Sequence, residues 1–212
     1  MGWFNAGVKP ADARDRASVA EIVACFQSQQ SLLARLAFLI TEDQLSADDS
    51  VVKTCEMTLK GNSPFRDWLV EWAKLATFMS AILKRAGDLQ VCEATYKGMR
   101  CTHGEHLWHG HAEERAASLD LILRVDPRII ISELDPLCRA ILLLRVALRS
   151  SIQDCVCRMS VSRAAVLAAN CQAMTWLHEL HLQTIEAHSV ASDSIQEPPQ
   201  TIGGLESQAN CA

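Results

Sequence analysis

Apolar positions recur at helical spacing along most of this chain. Leu32, Leu33, Leu36, Leu39 and Ile40 form one stripe. Trp68, Leu69, Trp72, Leu75, Ala76, Met79, Ile82 and Leu83 form a longer one. Residues three and four apart share one face of a helix, so both runs predict amphipathic helices. Start signals fall where such helices need them. Ser18 and Glu21 have capping-box spacing. Ser46, followed by Asp48 and Asp49, reads as an N-cap with acids in the first turn. After the break at 61–64, Ser63 reads as a cap and Pro64 as a first helical residue. Asp126–Pro127 and Asp135–Pro136 repeat that cap-then-proline signal. A further helix opens at Ser151, with Asp154 three residues on, and a last one runs from Ser162 to about His181. Alternating β-branched runs are scarce. The expectation is an all-α protein.

The pattern also divides the chain. Residues 1–17 read as a flexible N-terminus and 18–86 as a first small helical domain. Periodicity weakens after Ala86. The stretch 87–117 holds Gly87, Gly98, Gly104 and Gly110 and four of the seven histidines. Segment 87–125 is therefore expected to be a linker. Residues 126–188 read as a second small helical domain containing a helix-turn-helix. The polar tail 189–212, with Pro198, Pro199, Gly203 and Gly204, reads as disordered.

Composition narrows the classes of function. An apolar fraction of 49% supports buried cores, and a net charge of −5 argues against a general nucleic-acid coat. No apolar run is long enough for a membrane span, and residues 1–16 lack the apolar core of a secretory signal. A cytoplasmic protein without membrane contact is expected. The nine cysteines are scattered and odd in number, which favours reduced, mostly buried thiols. No nucleophile–base pattern, phosphate loop or dinucleotide fingerprint is present, so no enzyme and no cofactor are expected.

One family accounts for the order of segments. The stretch LDPLCRAILLLRVALRSSIQDCVCRMSVSRAAVLAANCQAMTWLHEL resembles the promoter-recognition region four of extracytoplasmic-function sigma factors. Leu134, Pro136, Arg139, Leu143, Leu144, Arg145, Ser151, Val161, Ser162, Val166, Ala173 and Leu177 fit its pattern without a gap. LARLAFLITEDQLSADDSVV resembles the opening of region two, with Ala47, Asp48 and Asp49 in its Ala-Glu-Asp positions. FRDWLVEWAKLA resembles the later region-two helix through Phe65, Arg66, Trp68, Leu69 and Ala73. The resemblance implies partners: RNA polymerase core, promoter DNA and an anti-sigma protein. It implies a polymerase-facing surface at Asp48, Asp49 and Lys53. It also implies a recognition helix that enters the major groove, with Ser162, Arg163, Asn170 and Gln172 as DNA-binding residues.

The departures fall on contact positions. Ser160 stands where the family's turn has glycine, and Val52 where region two has glutamine. SRAAVLAANCQAM has one arginine and no lysine. Asn and Gln can pair with adenine, but few groups remain to grip phosphate. Direct DNA binding is expected to be weak. The alternative is a helical decoy or adaptor that keeps the sigma scaffold without binding DNA, with a His/Cys linker as its possible metal-responsive element.

That linker, CTHGEHLWHGH, gathers Cys101, His103, His106, His109 and His111, with Cys92 nearby. It lacks a Cys-x-x-Cys knuckle, its spacing matches no strong zinc signature, and no metal site is assigned. Trp68 and Trp72 are expected in the core. His178 and His181 are expected near a partly exposed helix end.

Overall fold

The computed structural model describes residues 15–61, 63–99 and 112–193. The described residues are almost entirely helical. The first group comprises α1 (Val19–Ser28), α2 (Gln30–Thr41), α3 (Gln44–Lys60) and α4 (Leu69–Lys84). Two more follow, α5 (Ala86–Tyr96) and α6 (Ala112–Arg124). The last group is α7 (Pro127–Glu133), α8 (Pro136–Val146), α9 (Ile152–Met159) and α10 (Arg163–Asp193).

Most start signals act as expected. Ser18 and Glu21 close a capping box on α1, and Ser151 and Asp154 close one on α9. Asp126 and Asp135 cap α7 and α8 ahead of their prolines. Two signals differ. Helix α3 begins at Gln44, because Asp43 accepts the Ser46 N–H and takes the capping role assigned to Ser46. Ser63 and Pro64 do not open α4. Their carbonyls instead receive the Arg16 guanidinium at 2.7 Å and the Ala17 N–H at 2.9 Å, which ties down the chain ahead of α1. A short 3₁₀ turn, Arg66–Trp68, then leads into α4.

The buried face of α4 is Leu69, Ala73, Thr77, Phe78, Ala81 and Ile82, rotated from the expected stripe. Leu83 is exposed, and Trp68 is 41% exposed rather than in the core. Trp68 packs against Trp72, with ring centroids 5.6 Å apart, and Trp72 donates to Thr58 Oγ1 at 3.1 Å.

Residues 87–125, expected as a linker, carry α5 and α6. Leu89, Cys92 and Tyr96 fall on one face, and Leu89 and Tyr96 are buried. Gly87 and Gly98 flank this short stripe rather than interrupt it. One apolar cluster runs from Leu36 in α2 through Phe78, Leu89 and Ile122 to Leu177 in α10, so helices before and after this segment share a core. Helix α8 lies at its centre, with every residue from Leu137 to Leu144 buried. An apolar surface all round suits a helix enclosed on every side.

Its one fully buried charge, Arg139, is satisfied in place. Nε donates to Leu39 O at 2.9 Å, and Nη1 to Leu134 O at 2.5 Å and Ile131 O at 3.1 Å. Nη2 pairs with Glu42. Burial works against the charge of Arg139 and Glu42 supports it. On the other side of α2, Arg35 donates to Ile122 O at 3.0 Å and to Val125 O, closing the end of α6.

Candidate functional site

Helices α9 and α10 are joined by a turn through Ser160, whose φ of 56° and ψ of 37° are left-handed. This is the position where glycine was expected. A residue with a Cβ is strained in that conformation. Val161, Ala165, Val166, Ala169, Ala173, Met174 and Leu177 seat α10 in the core.

The four residues assigned to DNA meet different fates. Arg163 and Ser162 are exposed at the start of α10. The Ser162 N–H, however, donates to Glu93 Oε1 on α5 at 2.8 Å. Backbone and side-chain hydrogen bonds from Ser162 hold the Glu93 carboxyl below its usual range. Asn170 is half-buried, and its carbonyl oxygen lacks a partner. Gln172 Oε1 lies 2.8 Å from the Tyr96 hydroxyl.

Tyr96, the chain's only tyrosine, is the centre of this second contact. Its hydroxyl reaches the Asp135 carboxylate and lies 2.8 Å from Cys138 Sγ. Asp135 is occupied on its other oxygen as well, accepting the Leu137 N–H at 2.8 Å and the Cys138 N–H at 3.1 Å. A single hydroxyl proton serves Asp135, which suits Gln172 when its amide turns the NH₂ inward. Burial and the Asp135 carboxylate push both the Tyr96 phenol and the Cys138 thiol well up. These groups stay protonated and structural. Sequence reasoning assigned no role to Glu93, Tyr96 or Asp135's outward oxygen. The Leu89, Cys92, Tyr96 spacing was the signal that could have found the helix carrying the first two.

The polymerase-facing residues assigned to α3 do come together. Asp49 pairs with Lys53 at 2.9 Å and with Lys84 at 2.7 Å, and both contacts hold its carboxyl below the usual range. Lys84 also donates to Ser46 O at 2.6 Å. Asp48 accepts from Gln44 at 2.8 Å. Asp48 and Lys53 are exposed, and Leu45 and Val52 stand beside them at 80% and 55% exposure.

The histidine-rich stretch, Cys101 to His111, lies outside the described residues. Among the described residues no cluster of His, Cys, Asp and Glu is arranged to hold a metal, and no helix is long and apolar enough to cross a membrane. His181 Nε2 contacts Ser118 Oγ at 3.2 Å, linking α10 to α6. Cys25, Cys138 and Cys155 are free and buried, as expected, while Cys157 is free and exposed. Cys171 departs from the expectation of reduced thiols, because it is disulfide-bonded. A cleft of about 230 Å³ between α4, α6 and the end of α8 is lined by Glu71, Lys74, Asp120 and Arg149, whose charges balance. No family model matches the chain, and neither the curated proteins nor the solved structures contain a match.

Proposed function

We propose that this chain is a sigma-like transcription initiation protein that binds RNA polymerase core and, with it, promoter DNA. It works in the cytoplasm, without catalysis, and an anti-sigma protein is the expected regulator. The observation that carries this reading is the α8–α9–α10 unit, with its capped α9, its left-handed Ser160 turn and the exposed start of α10. Those are the parts such a reader needs, in the order in which the quoted sequence supplies them. The polar and apolar face of α3 supports a separate protein contact through Asp48, Asp49 and Lys53. Most of the binding energy then comes from polymerase, since α10 offers few phosphate contacts.

Immobilised core polymerase tests this directly. The folded protein is expected to be retained, and Asp48→Arg with Lys53→Glu is expected to release it. Absence of any retention removes the reading. Free protein is expected to bind duplex DNA weakly and to lose that binding steeply as salt rises.

A second reading, an interaction module that keeps the scaffold but reads no DNA, is favoured by the engagement of Ser162 and Gln172 with α5. Arg163→Ala together with Asn170→Ala separates the two. Lower promoter-dependent transcription supports the first, and retention on polymerase with no transcription under any condition supports the second.

A further inference from the structure

We propose that the cleft between α4, α6 and the end of α8 binds a small carboxylate with an apolar body. Arg149 holds the carboxylate, and Leu119, Leu123 and Val146 receive the body. The inference goes beyond the sigma-like reading and does not rest on it.

The charges of the lining decide the sign of the ligand. Lys74 pairs with Glu71 at 2.9 Å, and the Lys74 side chain is only 15% exposed. Asp120 pairs at 2.7 Å with Arg124, which lies one turn further along α6 and outside the lining. Each acid of the lining therefore has a cation of its own. Arg149 is left over, since among the described residues its guanidinium has no hydrogen bond or ion pair. A cleft with both acids neutralised and one cation to spare attracts a single negative charge. The fork of a guanidinium matches the two oxygens of a planar carboxylate.

The backbone at Arg149 does not suit arginine. Its φ of 49° lies in the left-handed region, which glycine enters without strain. This turn ends α8 by letting the Ser150 N–H return to Leu144 O at 2.9 Å. Glycine would make the same turn more easily. Glu42 shares the conformation, with a φ of 59°, and its carboxylate pairs with Arg139 and Arg85. There a strained residue carries a side chain with a task that glycine lacks. The task open to the Arg149 side chain is in the cleft it lines.

The rest of the lining sets the body of the ligand. Helix α6 supplies Leu119 and Leu123, both half-buried, and the end of α8 supplies Val146 and Ala147, both buried. An apolar cavity of about 150 Å³ accepts benzene. A cleft of about 230 Å³ has room for a chain such as hexanoate. Apolar walls with one group that fixes orientation are the usual make-up of a small-molecule site. A bare inorganic anion would leave these walls in contact with water, so the two features together favour an amphiphilic acid.

Calorimetric titration of the full chain with hexanoate, hexanol and hexylamine tests the site. Hexanoate is expected to bind saturably, and the alcohol and the amine about tenfold more weakly. Arg149→Gly removes the guanidinium and the backbone strain together. It is expected to lose about tenfold in affinity for hexanoate while its melting temperature does not fall. Arg149→Lys returns the charge to the same backbone and is expected to recover part of that loss. Arg128→Gln removes an exposed arginine of α7 that lies outside the lining, and is expected to bind as the native chain does. Absence of saturable hexanoate binding overturns the site. Equal affinity in Arg149→Gly and Arg128→Gln overturns the role of Arg149. Hexanol or hexylamine binding as tightly as hexanoate overturns the carboxylate.

Discussion

In α3 the polar groups of the outward face are satisfied within the helix and, at Asp49, by Lys84 of α4. Asp48 takes Gln44, Asp49 takes Lys53 and Lys84, and Leu45 and Val52 are left to water. In α10, Ser162 and Gln172 are engaged from α5, through Glu93 and Tyr96, 69 and 76 residues away along the chain. Both surfaces assigned to partners stay exposed, at Asp48 and Lys53 on α3 and at Ser162, Arg163 and Gln172 on α10, and they differ in how far along the chain their hydrogen-bond partners lie. A contact residue is not defined by its type alone. Asp48 and Gln172 were chosen by the same reasoning and both are exposed, but Asp48 is bonded within its own helix and Gln172 to Tyr96 of α5.

The comparison fails at the outset if the two regions are not one folding unit. Arg139 is the place to break it, since it reaches α2, α7 and Glu42 from the middle of α8. Removing one partner of a buried pair leaves the remaining groups unsatisfied, at a cost of about 3–5 kcal/mol. Arg139→Met is expected to lower the unfolding free energy from urea titration by that amount, and the midpoint with it. Circular dichroism and tryptophan fluorescence are expected to give coincident curves before and after the change. Two separated transitions in the native sequence would show that α3 and α10 belong to independent units, and the contrast between them would lose its meaning.

Tyr96→Phe acts on the contact of α5 with α8 and α10. It removes one hydroxyl and leaves Asp135 capping α8 through the Leu137 and Cys138 N–H groups. A buried acceptor that loses its donor costs about 1–3 kcal/mol. Stability is expected to fall within that range, with exchange rising in α5 and unchanged in α3. An equal rise in both helices would mean that the hydroxyl stabilises the whole core rather than the seat of α5.

What the sequence disclosed follows from the range of each interaction. Caps and prolines act over three or four residues, so Ser18, Asp126, Asp135 and Ser151 were legible as they stand. Helix α8 was legible as a helix, and its apolar surface all round shows why it is central. The Ser46 assignment failed because Asp43 caps α3 from three residues earlier, and the Ser63 assignment because the carbonyls of Ser63 and Pro64 face Arg16 and Ala17 ahead of a 3₁₀ turn. Helix α5 was hidden by its length and by its flanking glycines. Its apolar stripe has only Leu89, Cys92 and Tyr96, and its partners lie 69 and 76 residues away along the chain. The engagement of Ser162 and Gln172 is a long-range fact that no local pattern carries.

Ser160→Gly is expected to act in the opposite direction from the first two changes. The left-handed backbone at this residue strains any side chain bearing a Cβ. Glycine relieves that strain but has more freedom in the unfolded chain, so the expected net gain is small, about 0.5–1 kcal/mol. A matched pair of thermal melts reads it. A loss of stability would mean that the Ser160 side chain contributes more to the turn than its backbone geometry costs.

The smallest expected effect is the most selective for α5. Hydrogen bonds from Ser162, with a lesser contribution from Lys97, hold the Glu93 carboxyl below the usual glutamate value of 4.5. A group whose pKa is lower when folded favours the folded state in its charged form. Its contribution is complete above pH 4.5 and is lost as pH falls through the lowered value. Acid should therefore loosen the α5–α10 contact, while Tyr96, pushed upward, keeps its proton throughout. Asp43 and Asp154 are held below the usual aspartate value of 3.8, so the caps of α3 and α9 also weaken in acid. Stability against pH in the native sequence and in Glu93→Ala isolates the difference. The two curves are expected to run parallel above pH 4.5 and to converge below it. Curves that stay equally separated down to the lowest pH would show that the Glu93 charge plays no part in holding α5 to the start of α10.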